Sequence, residues 1–539
     1  MAITQHESSS IDAGHASKPD YSKAAEASVD VESTGDSQEL ANGTLVRHEE
    51  AKLHRSFTSR QIHVVSLGGQ IGAGLFISSG LMLRNGGPGS LLLSFLVVCS
   101  CVWAILQTVS EMTISFPVSG NYIDYADRFV DPALSFCAGF SMWLGWTAII
   151  AAEAVFFATV VGYWAGDTVH PAVWYTIFLV LMIVIFCVPV SVFAWFEYGT
   201  ALLKVIAMIV FMITGLCLVL GAGPNGQVKD GSTWHDGLAF RNGFQGFGSC
   251  VLLAVSAIGD NTFTGFVAGE AKNPRYAVAH AAFLIPIRVT VFYSLSMIFI
   301  GLLIPATNAR LFGGSGVSAS PFVIAIDEAG IIGLPDFLNV VIVCAVSSIG
   351  AESLFIASRM LRSMAAQDLI PSRFATVDNA GRPRWAVFNW LVQIASTGYF
   401  VVWIVIAITS FGFRRALKAQ NDPLFNETYA WKCSLWPLPP IWLLICGAFY
   451  TGCSFYLALY PIDIDKPNAK SFFQYMFGLV LILVTGIGYK VAFRTKMRDP
   501  RDVDLHTGRR TLQAEEINKL DWYYALSTWR KVGKFVQLW

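Results

Sequence analysis

Apolar residues occur along the chain in long runs that are separated by short polar segments. A helix needs roughly 20 mainly apolar residues to cross the hydrocarbon core of a bilayer, and eleven runs are about that long. The runs cover residues 62–83, 89–112, 133–163, 171–189, 200–220, 247–268, 281–305, 337–361, 386–410, 440–460 and 472–493. The pattern predicts an all-α polytopic membrane protein with 11 apparent spans.

The composition supports this class and argues against others. Hydrophobic residues make up 54% of the 539 residues and charged residues only 14%, whereas soluble domains have about 25% charged residues. The net charge is zero, so nucleic acid is not expected as a partner. The sequence has no Gly-x-x-x-x-Gly-Lys phosphate loop, and the ten cysteines lack the spacing of metal ligands. We therefore expect no enzyme, no metal and no cofactor.

The two ends of the chain are polar. Residues 1–55 are rich in Ser, Glu, Asp and Ala and are expected to form a disordered cytoplasmic tail. They contain no apolar segment typical of a cleaved signal peptide. Residues 56–495 are expected to form the transmembrane domain and residues 496–539 a second cytoplasmic tail. Both tails are candidate contact sites for trafficking or ubiquitination machinery.

The first apolar run contains four glycines within residues 68–74, Gly-Gly-Gln-Ile-Gly-Ala-Gly. Each glycine weakens a helix by about 1 kcal/mol relative to alanine. In hydrocarbon an unwound backbone is tolerated only where it lines a cavity or a solute site. The N–H groups at the start of the half-helix would then bind an anion, so Ile71, Gly72, Ala73 and Gly74 are candidate carboxylate ligands. The alternative is a small-residue face that packs against another helix.

A second interruption is predicted in the sixth run, at residues 257–265 (AIGDNTFTG). Gly, Asp, Asn and Thr together in mid-membrane favour a break that faces a cavity. Ala257, Ile258 and Gly259 are therefore candidate substrate contacts. Asp260 is a candidate for proton coupling, with a helix cap or a packing role as the alternative.

Two further charges lie within apolar runs. Lys204 is a candidate proton-coupling residue, and a lysine that extends to the inner membrane interface is the alternative. Glu153 in the third run is the other candidate. Glu111, at the inner end of the second run, is expected to organise cytoplasmic loops.

The distribution of lysine and arginine indicates which loops are cytoplasmic. The basic residues before the first run and after the sixth and eighth runs all fall inside. However, alternation places the loop with Arg414, Arg415 and Lys418 outside, together with the basic carboxy-terminal tail. One more crossing between Arg384 and Val387 would bring every later basic loop inside. The charge pattern thus predicts a twelve-span protein that lacks one span.

Several segments together resemble a fungal amino-acid permease of the amino acid–polyamine–organocation superfamily. They are residues 68–76 (GGQIGAGLF), 110–112, 116–120 (FPVSG), 125–133 (YADRFVDPA), 269–275 (GEAKNPR), 320–330 (SPFVIAIDEAG), 387–390 (VFNW), 413–420 (FRRALKAQ) and 502–508 (DVDLHTG). The resemblance covers nearly everything from Leu53 to the tail.

The resemblance implies a twelve-span helix bundle with the inverted repeats of the leucine-transporter-like (LeuT) fold. In such relatives a ninth span lies before Val-Phe-Asn-Trp, so about 25–30 residues are expected to be missing at the Ala386–Val387 junction. It also implies that the first glycine break contacts the substrate backbone and that a lysine such as Lys204 is linked to the proton. The chain departs from the family where Thr262 replaces a Glu and where Ala257 or Ile258 stands in place of a gating aromatic residue.

The resemblance implies a multi-pass plasma-membrane transporter that takes up an amino acid, with the proton as coupling ion. Two alternatives stay open on the sequence alone. One is an amino-acid-sensing receptor built on a transporter fold, and the other is a non-functional, truncated permease.

Overall fold

A computed structural model gives the structure of the chain. It describes residues 71–72, 74–118, 120–166, 169–223, 226–258, 274–311, 320–370, 395–427, 429–462, 469–512, 514–527 and 529–531. All of these residues belong to one compact unit, Ala51–Trp539.

The described residues form helices joined by short connections. A π-helical turn, Gly74–Ser78, leads into the first α-helix. The α-helices are α1 Ser79–Ser115, α2 Tyr122–Phe129, α3 Pro132–Ala165, α4 Pro171–Cys187, α5 Val190–Val219, α6 Gly243–Ile258, α7 Pro274–Leu303, α8 Pro321–Glu328, α9 Leu334–Ala366, α10 Ala395–Ala419, α11 Leu438–Leu459, α12 Ala469–Phe493 and α13 Ala514–Ala525. This architecture confirms the all-α polytopic prediction.

Every one of the eleven predicted runs coincides with helix in the described residues. Eight helices there are long and apolar enough to cross a membrane, and α4 and α6 are shorter apolar helices. The first two runs follow each other without a loop, through the π-helical turn and α1. A break at Gly87 separates them, with a φ of 77° and Pro88 directly after it. A Cβ at Gly87 would lie 2.0 Å from the carbonyl oxygen of Leu238, so only glycine fits this bend.

The core of the bundle is formed by α1 packed against α6 and α7, and by α3 packed against α9 and α10. Helices α4, α5 and α12 lie further out and expose apolar side chains such as Val180, Ile213 and Val484. Exposed apolar faces of this kind are expected where helices contact lipid. The lipid-facing helices thus surround a core in which the candidate site residues lie.

Two helix boundaries, the start of α5 and the end of α10, lie nine or ten residues outside the predicted runs. Helix α5 begins at Val190, ten residues before the predicted start at 200, because the charged Glu197 is paired inside the protein and does not end the span. Helix α10 runs from Ala395 to Ala419, so Arg414, Arg415 and Lys418 lie in the helix and not in a loop. Its last turns continue because Arg414 forms an ion pair with the buried Glu111.

Helices α9 and α10 both end at the same end of the molecule. Gln367, just after α9, donates a hydrogen bond to Asp124 in α2. Gly412, near the end of α10, lies against the backbone of Phe129 and the side chain of Val130. Consecutive spans normally run in opposite directions and end on opposite sides of the membrane. The parallel ends fit the charge argument for one more crossing, which stays a prediction because residues 371–394 lie outside the described residues.

Candidate functional site

The first glycine break lies directly before the π-helical turn. Ile71 and Gly72 are non-helical and buried, and the Gly72 carbonyl accepts hydrogen bonds from the N–H groups of Leu75 and Phe76, each at 3.1 Å. The helix therefore begins here, as the sequence predicts. The first N–H groups of a helix have no partner within the helix and can bind an anionic group. Ala73 lies outside the described residues.

The end of α6 packs against this break. A Cβ at Gly74 would lie 2.4 Å from the Cα of Ala257, and a Cβ at Gly72 would lie 2.8 Å from Cγ1 of Ile349 in α9. Helix α6 ends at Ile258, where the second interruption is predicted. The structure thus brings Ile71, Gly72 and Gly74 together with Ala257 and Ile258. This close approach also fits the small-residue packing alternative, so binding of substrate stays a prediction.

Two hydroxyl groups bind backbone carbonyls on either side of this contact. Ser320, the residue before α8, donates to the carbonyl of Phe76 at 2.5 Å. Tyr293 in α7 donates to the carbonyl of Ala257 at 3.3 Å. Phe76 and Ala257 are both buried, and buried carbonyls are normally hydrogen-bonded. The segment around Ser320 stands out in the sequence as a family motif, but this role of Ser320 depends on tertiary contact.

Phe322 in α8 adds an aromatic cover to the break. Its ring packs against Phe76 with centroids 5.0 Å apart and against Phe211 in α5 at 4.5 Å. All three side chains are almost fully buried. Helix α8 therefore joins the π-helical turn to α5, the helix that holds Lys204.

Lys204 lies within a buried polar cluster on the inner face of α5. Its Nζ donates to the Ser348 hydroxyl at 2.9 Å, and this hydroxyl donates to Oε2 of Glu197 at 2.8 Å. The Thr200 hydroxyl lies 3.2 Å from the same Ser348 oxygen. Lys204 is 0% exposed, so the alternative of a side chain that extends to the membrane interface is wrong.

Two more carboxylates face Lys204. Glu352 in α9 and Glu153 in α3 are both 4% exposed, and both interact electrostatically with its ammonium group. Oε2 of Glu153 has no hydrogen-bond partner among the described residues. The two proton-coupling candidates Lys204 and Glu153 are thus brought together. Gly259 and Asp260 lie outside the described residues.

Three residues of this cluster are not predicted from the sequence: Glu197, Ser348 and Glu352. One signal was available for Glu197, because Glu197, Thr200 and Lys204 are spaced i, i+3 and i+7 and therefore share one face of a helix. No such signal exists for Ser348 and Glu352, since α9 meets α5 only in the folded protein.

Three consecutive residues of α9 contact three different parts of the site. Ser348 hydrogen bonds to Lys204 and Glu197, and Ile349 lies against Gly72. Gly350 faces α4, where a Cβ would lie 2.7 Å from the ring of Phe178. The glycine break and the buried charges are therefore connected through one turn of α9.

An ion pair closes the end of the bundle at which α1 finishes. Arg414 donates two hydrogen bonds to Glu111, at 2.7 and 2.6 Å, and the backbone N–H of Cys433 donates to the same carboxylate at 2.9 Å. The guanidinium also lies over the rings of Phe425 and Trp436. Glu111 thus joins the ends of α1 and α10, as predicted for a residue that organises this face.

Residues 498–510, here called the tail strap, lie across this same face. Leu505 is 0% exposed and packs in an apolar cluster with Phe116 and Phe413. Arg509 donates two hydrogen bonds to Asp422, each at 2.9 Å. Gln420 donates to the carbonyls of Val503 and Pro500. In the sequence, residues 502–508 stand out only as a family motif.

Arg128 in α2 binds the middle of the tail strap. It donates to the carbonyl oxygens of Asp504 at 2.7 Å and Thr507 at 2.5 Å. Partial burial alone would raise the pKa of Asp504. Hydrogen bonds from Thr507 and His506 and the charge of Arg128 outweigh burial and lower this pKa to about 2. Asp504 is therefore ionised at any physiological pH.

Comparison with known proteins gives one consistent family. A family model described as amino acid permease matches residues 61–388 and 384–500. Amino-acid permease GAP3 of Candida albicans is 33% identical over 493 residues, which cover 87% of this chain and 82% of that protein. General amino-acid permease GAP1 of Saccharomyces cerevisiae is 32% identical over 497 residues, with the same two shares.

Among solved structures, the chain is similar to Mhp1, described as a nucleobase-cation-symport-1 family transporter. The TM-score is 0.42 at 13% identity, and the likeness covers 87% of this chain and 97% of Mhp1.

Proposed function

We propose that this chain, which belongs to the amino acid permease family and is a transmembrane amino-acid transporter, takes up amino acids together with protons across the plasma membrane. The proposed proton coupling rests on the observation that Lys204 is fully buried. An ammonium group in the middle of a membrane protein is unfavourable unless it has partners and a function.

The glycine break is proposed to bind the carboxylate of the amino acid. The positive end of the helix that starts at Gly74 favours an anionic group. Ala257 and Ile258 at the end of α6 lie beside this break, where the carbonyls of a helix end would suit the substrate ammonium. Ala73 and Gly259 are proposed as their neighbours in the same site.

The coupling is proposed to act through the charge on Lys204. Glu153, Glu197 and Glu352 stabilise the protonated amine, and Ser348 holds it against α9. Loss of the proton would remove this attraction, and Ile349 lies next to Ser348 and against Gly72. A change in protonation can therefore alter the contact at the glycine break. Asp260 is kept as a further proton-coupling candidate.

Accumulation of a radiolabelled amino acid under an imposed proton gradient tests this proposal. It is measured in proteoliposomes with the full chain and with a chain to which the missing span is restored. Lys204→Gln should abolish accumulation above equilibrium, while Lys229→Gln, a change of an exposed lysine, should leave it intact. Accumulation that survives Lys204→Gln unchanged would refute the coupling role.

Location in the plasma membrane is proposed by analogy with the amino-acid permeases of the two yeasts. The cytoplasmic tails are proposed to contact trafficking or ubiquitination machinery. Fluorescence of a tagged chain at the cell surface, with and without residues 1–50, tests both proposals.

A further inference from the structure

The hydroxyl group of Ser348 stands between two opposite charges of α5. It accepts a hydrogen bond from Lys204 and donates one to Glu197, with donor–acceptor distances of 2.9 and 2.8 Å. All three side chains are buried, with exposures of 0%, 0% and 3% for Lys204, Ser348 and Glu197. The three groups thus form a continuous hydrogen-bonded path that joins an ammonium group to a carboxylate.

We propose that Ser348 relays a proton from Lys204 to Glu197. One N–H bond of Lys204 breaks as an O–H bond forms on Ser348, and the original O–H bond of Ser348 breaks as one forms at Oε2 of Glu197. The products are a neutral amine, an intact serine hydroxyl and a neutral carboxylic acid. No co-reactant is needed, and the net charge of the cluster does not change.

The relay rests on the proposed proton coupling and extends it with a direction. Helix α5 follows the fourth run, so under the predicted orientation it begins on the cytoplasmic side. Glu197 lies seven residues before Lys204, which places it about 10 Å closer to the cytoplasm. The neutral Lys204 amine then takes up a proton from outside, and Glu197 releases a proton to the inside. These two steps restore the ion pair, and the net result is that one proton has crossed.

Neutralisation also explains why a serine joins the two helices. Separation of α5 from α9 with both groups charged would leave two ions in a medium of low dielectric constant. After the relay, the same helices can separate with neutral groups. The Thr200 hydroxyl, within 3.2 Å of Ser348 Oγ and 3.0 Å of the Glu197 carbonyl, positions the serine.

Other titratable groups face this path. Glu153 from α3 and Glu352 and Cys344 from α9 interact electrostatically with Lys204. Ser348 joins Lys204 to Glu197 through one hydroxyl group. This assigns the proton acceptor to Glu197, with Glu153 and Glu352 as groups that stabilise the ammonium form.

The test compares Ser348→Ala, Ser348→Thr and Glu197→Gln in the full chain and in the chain with the restored span, with accumulation measured against external pH. Ser348→Ala and Glu197→Gln should each reduce the accumulation ratio at least tenfold and flatten its pH profile. Ser348→Thr keeps a hydroxyl group and should restore most of the accumulation. Ser347→Ala is the matched control, because the Ser347 hydroxyl bonds only to its own helix at the Val343 carbonyl among the contacts described.

The infrared spectrum gives a second readout that does not require transport. When the pH is lowered, we expect a band from a protonated carboxyl group to appear in the spectrum. This band should be absent in Glu197→Gln and shifted in Ser348→Ala. The relay is overturned if Ser348→Ala or Glu197→Gln keeps wild-type accumulation, or if the band persists in Glu197→Gln. If Lys204→Gln also keeps wild-type accumulation, the proposed proton coupling fails as well. If Lys204→Gln loses accumulation while Ser348→Ala and Glu197→Gln keep it, only the relay is refuted.

Discussion

Gly74 lies so close to Ala257 that there is no room for a side chain at position 74. A Cβ on Gly74 would lie 2.4 Å from the Cα of Ala257 and 2.7 Å from its Cβ. The contact joins the two segments at which the sequence predicts broken helices. It therefore ties the start of the first helix to the end of α6.

The two glycines of the break should differ in their tolerance of alanine. A Cβ at Gly74 meets backbone, which cannot move without displacing α6, whereas a Cβ at Gly72 meets the side chain of Ile349, which can shift without displacing a helix. We expect Gly74→Ala to lower uptake by orders of magnitude and Gly72→Ala to raise KM severalfold. Gly162→Ala, with open space around it, is the control.

Uptake kinetics at matched surface expression measure these differences. Valine at either position should be worse than alanine because its branched side chain is bulkier. Equal effects of Gly72→Ala and Gly74→Ala would contradict the assigned contacts. Unchanged substrate affinity in well-expressed Gly72→Val and Gly74→Val would show that the break serves packing only.

The Glu111–Arg414 pair should be important for stability. Glu111 is 2% exposed, and removal of one partner of a buried ion pair costs about 3–5 kcal/mol. We expect Arg414→Gln to lower the midpoint of thermal unfolding in detergent by several degrees. Arg415→Gln, a change of the exposed neighbour, should leave the midpoint within error. The reverse order of the two variants would refute the pairing.

Attachment of the tail strap should depend on one buried leucine. Leu505→Ala removes a fully buried side chain, which costs about 2–5 kcal/mol in a packed core. We expect faster cleavage of the tail by an added protease, while His506→Ala at an exposed neighbouring position should have no effect. Arg509→Gln should also speed cleavage, because it removes the ion pair with Asp422. Protection equal to wild type in both Leu505→Ala and Arg509→Gln would contradict the described docking.

Restoring a span between Arg384 and Val387 should change the assembly of the protein. As written, alternation of spans puts Asn426 of the sequon Asn-Glu-Thr outside, whereas the basic residues around it favour the inside. We expect the short chain to show mixed insertion of α10, partial glycosylation at Asn426 and little transport. The lengthened chain should show no glycosylation, a uniformly cytoplasmic reporter after Trp539, and uptake. Robust uptake by the short chain would refute the missing span.

The helices could be predicted from the sequence because each membrane span requires an apolar run of a certain length. The first glycine break could be predicted as well, since glycine has a local effect on the backbone. Most of the second predicted interruption, from Gly259 onward, lies outside the described residues. The start of α5 could not be predicted, because Glu197 indicates the polar end of an apolar run unless its partner Ser348 is known. Likewise, α10 extends past its apolar residues only because Glu111, 303 residues away, accepts the charge of Arg414.

The candidate site shows the same limit. Lys204 and Glu153 stand out individually as charges in apolar runs, so both could be found from the sequence. Their arrangement depends on α3, α5 and α9 meeting in space, and the group that links Lys204 to Glu197 is a serine. Serine is common in membrane helices, and nothing in its local sequence distinguishes Ser348 from Ser347.

The tail strap has a consequence for how the protein is made. Asp127 is synthesised 371 residues before Arg498, with which it forms an ion pair, and Asp422 precedes Arg509 by 87 residues. At about 5–20 residues per second, the ribosome needs roughly 4 to 17 s to go from Asp422 to Arg509. During this time the nascent chain presents carboxylates without the basic partners that neutralise them in the finished protein. The strap therefore distinguishes a completed polypeptide from one still being translated, and a premature stop codon would leave this acidic surface permanently exposed to cellular quality control.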